Sequence, residues 1–347
     1  MVTRPTSRAR KTTSPTQPEL VSAPDRRPGS IRRTSHVDSV RSGFGGPMGI
    51  SAMNGAARDL LTTRSGEEAC GAASLAIAIG ANGLVEQVTT VPGSPSCQVL
   101  VGKRVGFGFR SSVKDLLAEL SGTPLGLLVD DLSGAPAPSG YGAIRESVLL
   151  GTPDPLPPPG DSPVARGDVC AGWRVGGGAY TNVTSGRPLP FVTEPPVPPD
   201  LNAGNDPLGW HTMEPLGARQ SRRLRRMDLW GEGDRLMIDA MFRDSTADPD
   251  LTPRVVHEYA ITAVIDSETL VVLDIHAEPR SLPFPADCPL AAESAQLVVG
   301  LPITSLRGAV GKLSNGPGSC THLNDALRFL ADAAGLVGHL HDWPSAP

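Results

Sequence analysis

Long apolar runs are missing from this chain. No stretch of about 18 consecutive apolar residues occurs, so no part of it is expected to span a membrane. The opening MVTRPTSRARKTTSP has no apolar core of the kind a secretory signal needs. Cysteine is sparse: five residues, an odd number at irregular spacing, fit a reduced cytoplasm better than a disulfide framework. Aromatics make up only 4% against 39 Gly and 35 Pro, so considerable length must be loop or tail. The motifs of common chemistries are also absent. There is no GxxxxGK[ST] phosphate loop, no HExxH, no GxSxG and no paired CxxC, and Gly106-Phe-Gly108 is too short to mean dinucleotide binding. A net charge of −5 predicts no nucleic-acid affinity.

What is present is unevenly distributed. Residues 1–45 hold nine Arg or Lys against three acids, giving +6 there and −11 in the remainder. Residues 1–27, rich in Ser, Thr, Pro and Arg, read as a disordered basic tail, solvated rather than a nucleic-acid arm. The 347-residue length suits two domains, each long enough to bury a core. Between them, residues 151–216 contain 14 of the 35 prolines and read as an extended connector, which Cys170-Ala-Gly-Trp173 would pin onto a domain.

Five local matches recur in the same order in both halves at an offset of about 185–198 residues, as sought in a repeat search. Ile31–Asp38 echoes Leu224–Asp228, and the segment around Arg58-Asp59 echoes that around Arg243-Asp244. Leu84–Pro92 echoes Leu270–Pro279, Ser96–Gly102 matches Ser294–Gly300, and Phe109-Arg110 matches Leu306-Arg307. The expected organisation is a degenerate copy over 28–150 and a second copy over 217–347, an intramolecular pseudo-dimer. In copy two, Met237–Arg243, Val255–Asp266 and Thr269–Ala277 read as strands, with His257, Tyr259, Ile261, Ala263 and Ile265 on one face and Val271, Leu273 and Ile275 on one face of the next. Helices are expected from about Ala291, around Leu306–Leu313, and over Cys320–Ala334 with a core stripe of Leu323, Leu327, Leu330 and Ala334. The fold class is α+β: two tandem antiparallel meanders, each followed by helices.

The chemistry-bearing residues gather in copy two: His257, Cys288, Cys320 and His322. Thiolate plus imidazole is the donor mixture zinc favours, at three or four ligands per site. His257 lies on an inward strand face, and Cys320 opens a helix whose unpaired N–H groups would favour a thiolate. His276, with Asp274, falls on the opposite face. The bland reading is a pair of core cysteines and a hydrogen-bonded core histidine. Copy one places Cys70-Gly71 near the position of His257, and Leu125 and Leu127 near those of Cys320 and His322. Packing residues thus persist between the copies while the polar set does not, the pattern of one working copy and one scaffold copy. His257, Cys288 and Cys320, separated by 31 and 32 residues, are expected to meet at one edge of the sheet.

Val256-His257-Glu-Tyr, Cys288-Pro289, Leu297-Val-Val-Gly300 and Cys320-Thr-His322-Leu323 together resemble a bacterial family catalogued as domain of unknown function 2889. The resemblance implies an inward histidine, a cysteine–proline turn and a G-C-T-H-L-like helix start over about 219–335, and it implies no reaction. Here Ser319 separates Gly318 from Cys320. A more distant similarity is to the NifU-type iron–sulfur scaffold layout, which implies cysteines on the first strand, after the hairpin and at the last helix. His257 stands at the first of these and Tyr259 where an aspartate belongs, departures that speak against cluster assembly and leave a mononuclear site. Three functions stay open: a zinc-binding domain on His257, Cys288, Cys320 and His322; an enzyme on a small organic substrate, with Cys320 as nucleophile or the histidines as acid and base; and a non-catalytic protein-interaction module.

Overall fold

The computed structural model describes residues 18–42, 49–152, 167–187, 189, 194–201 and 206–340. Among the described residues there are eight strands: β1 (Ser30–Arg41), β2 (Ile50–Thr62), β3 (Glu67–Ile79), β4 (Val85–Val91), β5 (Gln220–Glu232), β6 (Arg235–Ala247), β7 (Pro253–Asp266) and β8 (Val272–Ser281). They make one antiparallel sheet in the order β4-β3-β2-β1-β5-β6-β7-β8. Each run of four consecutive strands is a meander, and the two meanders join through β1 and β5, where Ser30 faces Trp230 and Val40 faces Gln220. The sequence reading of copy two lacked β5, whose Arg-rich pattern does not look like a strand. Its arginines are buried: Arg223 and Arg225 bind carboxylates of the helix layer, Arg222 and Arg226 those of the opposite face.

The helices are α1 (Phe109–Ser112), α2 (Lys114–Glu119), α3 (Pro124–Asp131), α4 (Ala137–Leu150), α5 (Gly178–Thr184), α6 (Leu306–Leu313), α7 (Thr321–Phe329) and α8 (Ala333–Val337). The expected helix from Ala291 is a 3-10 stretch, Cys288–Val298, entered through Pro289. The expected last helix is cut by a 3-10 turn at Leu330–Asp332. Its stripe holds nonetheless: Leu323, Leu327 and Leu330 are fully buried and Ala334 packs beside them. Alternation also holds on β7, where His257, Tyr259, Ile261, Ala263 and Ile265 are all buried. On β8 it fails. A register shift between Val264 and Ile265 places Val272 inward and leaves Leu273 37% exposed, so the expected Val271/Leu273/Ile275 face does not exist.

The helices cover one face of the sheet and form two hydrophobic clusters, one centred on β5–β8 and one on β1–β4. Between them runs a continuous chain of ion pairs. Asp59, Arg33, Asp332, Arg307, Asp130, Arg110, Asp325, Arg223 and Asp244 follow one another in order, and Arg225 joins through Asp131. Charges this deep are tolerable only when each is paired.

Extended chain covers the other face. Residues 18–27, expected as free tail, carry no regular structure, yet the Arg32 and Arg243 guanidiniums donate to the carbonyls of Pro24 and Val21. The second part of the connector lies beside them: Trp210 is buried against Leu224 and Met241, and His211 bonds to Thr34 and His36 at 2.7 Å each. Residues 1–17, 43–48, 153–166 and 341–347 lie outside the described residues. No helix among the described residues is long and apolar enough to cross a membrane.

Candidate metal centre

Asp244 on β6 stands directly opposite His257 on β7, and a register shift follows immediately at Asp244/Ser245. The inward parity of β7 aims the His257 imidazole at the helix layer. From that layer α7 brings His322, one residue before the buried Leu323. The two imidazoles stack with ring centroids 3.5 Å apart and planes 17° from parallel. Asp244 Oδ2 lies 3.7 Å from His322 Nε2 and 4.0 Å from His257 Nδ1. Donor atoms of the three residues all lie within 4.8 Å of one another.

Burial sets the protonation of this group. It pushes His257 well below the ordinary imidazole value, helped by His322 and Arg223 and opposed by Asp244. It pushes His322 down to about 3, helped by Arg223 and Arg225 and opposed by Asp325. Both rings are therefore neutral, the form that ligates metals. His257 Nδ1 is buried and has no hydrogen-bond partner. A buried ring nitrogen without a partner is a standing cost of about 1–3 kcal/mol unless something occupies it. Asp244 is fixed by the Arg223 fork, with two bonds of 2.9 Å. Each carboxylate oxygen still has a second lone pair, and that of Oδ2 is free to face the imidazoles.

The four residues expected as one donor set are divided. His257 and His322 come together, with Asp244 as the third donor; Cys288 and Cys320 are not in that group. Cys320 is the residue preceding the first turn of α7, but its side chain makes no cap bond. Burial raises its thiol pKa, outweighing the Tyr259 hydroxyl and the Leu323 and His322 N–H groups at the helix start, which favour the thiolate as expected; Cys288 also lies nearby. Cys288 is likewise raised by burial, and Cys170 is pushed up to about 11. The Cys170–Trp173 patch does dock. Ala171 N–H donates to the Ser319 carbonyl at 2.7 Å, and a Cβ on Gly172 would sit 2.7 Å from the Cys288 sulfur. His276 is on the opposite face, across from Thr262.

Asp244 was missed from sequence although Arg243-Asp244 stood in one of the repeat matches. Only the β6–β7 register reveals that Asp244 faces His257. Across β2 and β3, Asp59 faces Gly71, and a Cβ on Gly71 would lie 3.4 Å from both Asp59 Oδ2 and Pro124 Cγ.

The molecule is thus an α+β protein with one eight-stranded antiparallel sheet and a buried His–His–Asp group. Residues 221–335 match the profile of a family described as Protein of unknown function (DUF2889), which takes in Asp244, His257, Cys288, Cys320 and His322. No curated protein and no solved structure matches the chain.

Proposed function

We propose that the chain binds a divalent transition metal, zinc first among them, through His257 Nδ1, His322 Nε2 and Asp244 Oδ2. The observation carrying this reading is the buried, partnerless His257 Nδ1, which converges on the same carboxylate oxygen as His322. Zinc bonds to nitrogen and oxygen are about 2.0–2.2 Å, so tetrahedral donors stand roughly 3.4 Å apart. The two gaps to Asp244 need to close by only a few tenths of an ångström. Two histidines with one carboxylate also suit ferrous iron. A cysteine-nucleophile enzyme is poorly supported, because burial keeps all three neighbouring thiols protonated.

We propose further that the two halves are tandem copies of one unit, of which only the second retains donors. Arg32 pairs with Asp228 across β1 and β5, and Arg222 pairs with Asp38 by the reciprocal route. Arg33 forks onto Asp59 as Arg223 forks onto Asp244. Asp59, Gly71 and Pro124 then stand where Asp244, His257 and His322 stand in the second copy. The aligned residues are Arg32-Arg33 with Arg222-Arg223, three positions from the match sequence comparison suggested.

The deciding experiment is elemental analysis of freshly purified protein, followed by chelator-competition titration of wild type, His257→Ala and His322→Ala. Stoichiometric metal in the wild type and its loss in both variants is the expected result. Metal-free wild type that takes up neither zinc nor iron would defeat the proposal.

A further inference from the structure

The metal site rests on more than the segment that carries its donors. Arg223, whose fork holds Asp244, turns its third nitrogen to Asp325 Oδ2 at 2.8 Å and reaches Asp131 Oδ1 at 3.5 Å. Asp131 ends α3 in the first half of the chain and also binds Arg225, with Nε and Nη2 contacts of 2.8 and 2.5 Å. Tyr141 of α4, again from the first half, packs T-shaped against His257, with centroids 5.3 Å apart and planes at 81°. The α4 and β6 segments pack directly on each other, with a Cβ on Gly142 falling 2.2 Å from Thr246 Oγ1.

From these contacts we infer that the first half completes the metal site through two positioning residues, Asp131 and Tyr141. This inference rests on the metal reading above. The physical ground is charge and orientation. Arg223 is shared among Asp244, Asp325 and Asp131, and Asp131 also neutralises Arg225. Sharing one guanidinium among three carboxylates leaves Asp244 with charge to spare for a cation. Without the Asp131 charge, Arg223 and Arg225 face the imidazoles with less compensation. Tyr141 acts on geometry instead: a T-shaped contact between the two rings restrains the plane in which Nδ1 points. Outer partners of this kind typically change metal affinity by about 10–100-fold.

The test uses the full chain and zinc itself, with competition titration against a chelator and the cobalt(II) absorption spectrum as a second readout. Asp131→Asn, nearly isosteric, should weaken zinc about 10–100-fold. Tyr141→Leu should weaken it and shift the cobalt bands, while Tyr141→Phe, which keeps the ring, restores both. Asp38→Asn, which severs an ion pair on the opposite face of the sheet, should leave affinity unchanged and so separates a site effect from a general loss of stability. If Asp131→Asn does not fold, the Tyr141 pair decides alone. Folded Asp131→Asn and Tyr141→Leu proteins that bind zinc as wild type does would overturn the inference and leave the metal reading standing. Wild type without affinity for zinc would remove both.

Discussion

Arg33 is 1% exposed, and its guanidinium serves Asp59 twice at 2.6 Å and Asp332 at 2.9 Å. Replacing it by Met strands the buried Asp59 carboxylate and leaves Asp332 with Arg307 alone. Breaking a buried pair from one side costs about 3–5 kcal/mol, so urea unfolding of Arg33→Met should show a loss of that order; a loss below about 1 kcal/mol would mean these charges are better solvated than their burial implies. Glycines give a sharper contrast. Gly172→Ala puts a methyl 2.7 Å from the Cys288 sulfur and 2.9 Å from Phe284 Cδ2, which should destabilise by about 1–3 kcal/mol, as overpacking does. Gly308 lies within α6 with nothing inside 4 Å of a new Cβ, so Gly308→Ala should stabilise by up to about 1 kcal/mol. Thermal melts of the two variants should shift in opposite directions.

Among the elements, the extended coverings of the sheet have the clearest consequences. Burial lowers His36 to about 4 and His211 to about 3; Asp38 opposes the first shift and Arg222 reinforces it, and His36, Arg58 and Arg222 reinforce the second. Both lie below the value of about 6.5 for an unfolded-state imidazole. The unfolded chain therefore takes up protons first as pH falls, and stability rises with pH across this window. The contribution is complete above about pH 6.5 and is lost progressively toward pH 4. Urea midpoints measured at pH 7, 5.5 and 4.5 should fall, and His211→Phe should flatten part of that slope; an equal slope in the variant would assign the acid loss elsewhere. Removing residues 1–27 should also weaken the fold. It strips carbonyl partners from the buried guanidiniums of Arg32 and Arg243, and an unmet hydrogen bond to a charged group costs about 1–3 kcal/mol each. A truncated protein as stable as the full chain would show that water replaces those carbonyls. The strap was illegible beforehand, because Pro- and Arg-rich sequence looks the same whether it is free or clamped by side chains from a distant sheet.

For the whole molecule, continuity of the sheet and of the ionic chain predicts one unfolding transition. The two meanders share eleven aligned residue pairs between β1 and β5, and Asp332, Asp325 and Arg307 from the second half are bound to Arg33, Arg110 and Asp130 of the first. Far-ultraviolet circular dichroism and tryptophan fluorescence should therefore give coincident denaturant curves. Two separated transitions would show that the halves hold together only loosely. Because the pairs are buried, salt should shift the midpoint little.

Local pattern alone determined the α+β class, the inward face of β7, the Leu323–Leu327–Leu330 stripe and the choice of His257 and His322, because each follows from a period of two or of 3.6 within one segment. It also raised the expectation that chemistry sits in the second half, since the first has Cys70-Gly71, Leu125 and Leu127 near the positions of His257, Cys320 and His322. Only the tertiary structure decided the rest. Strand register set Asp244 opposite His257, and the bulge at the start of β8 turned Val272 inward and Leu273 outward while Ile275 kept its expected face. The path of the chain placed Cys288 and Cys320 beside Tyr259 and Cys170 instead of beside the imidazoles. These outcomes depend on which distant segment lies alongside, and pairing between β1 and β5, some 190 residues apart, leaves no mark on the periodicity of either strand.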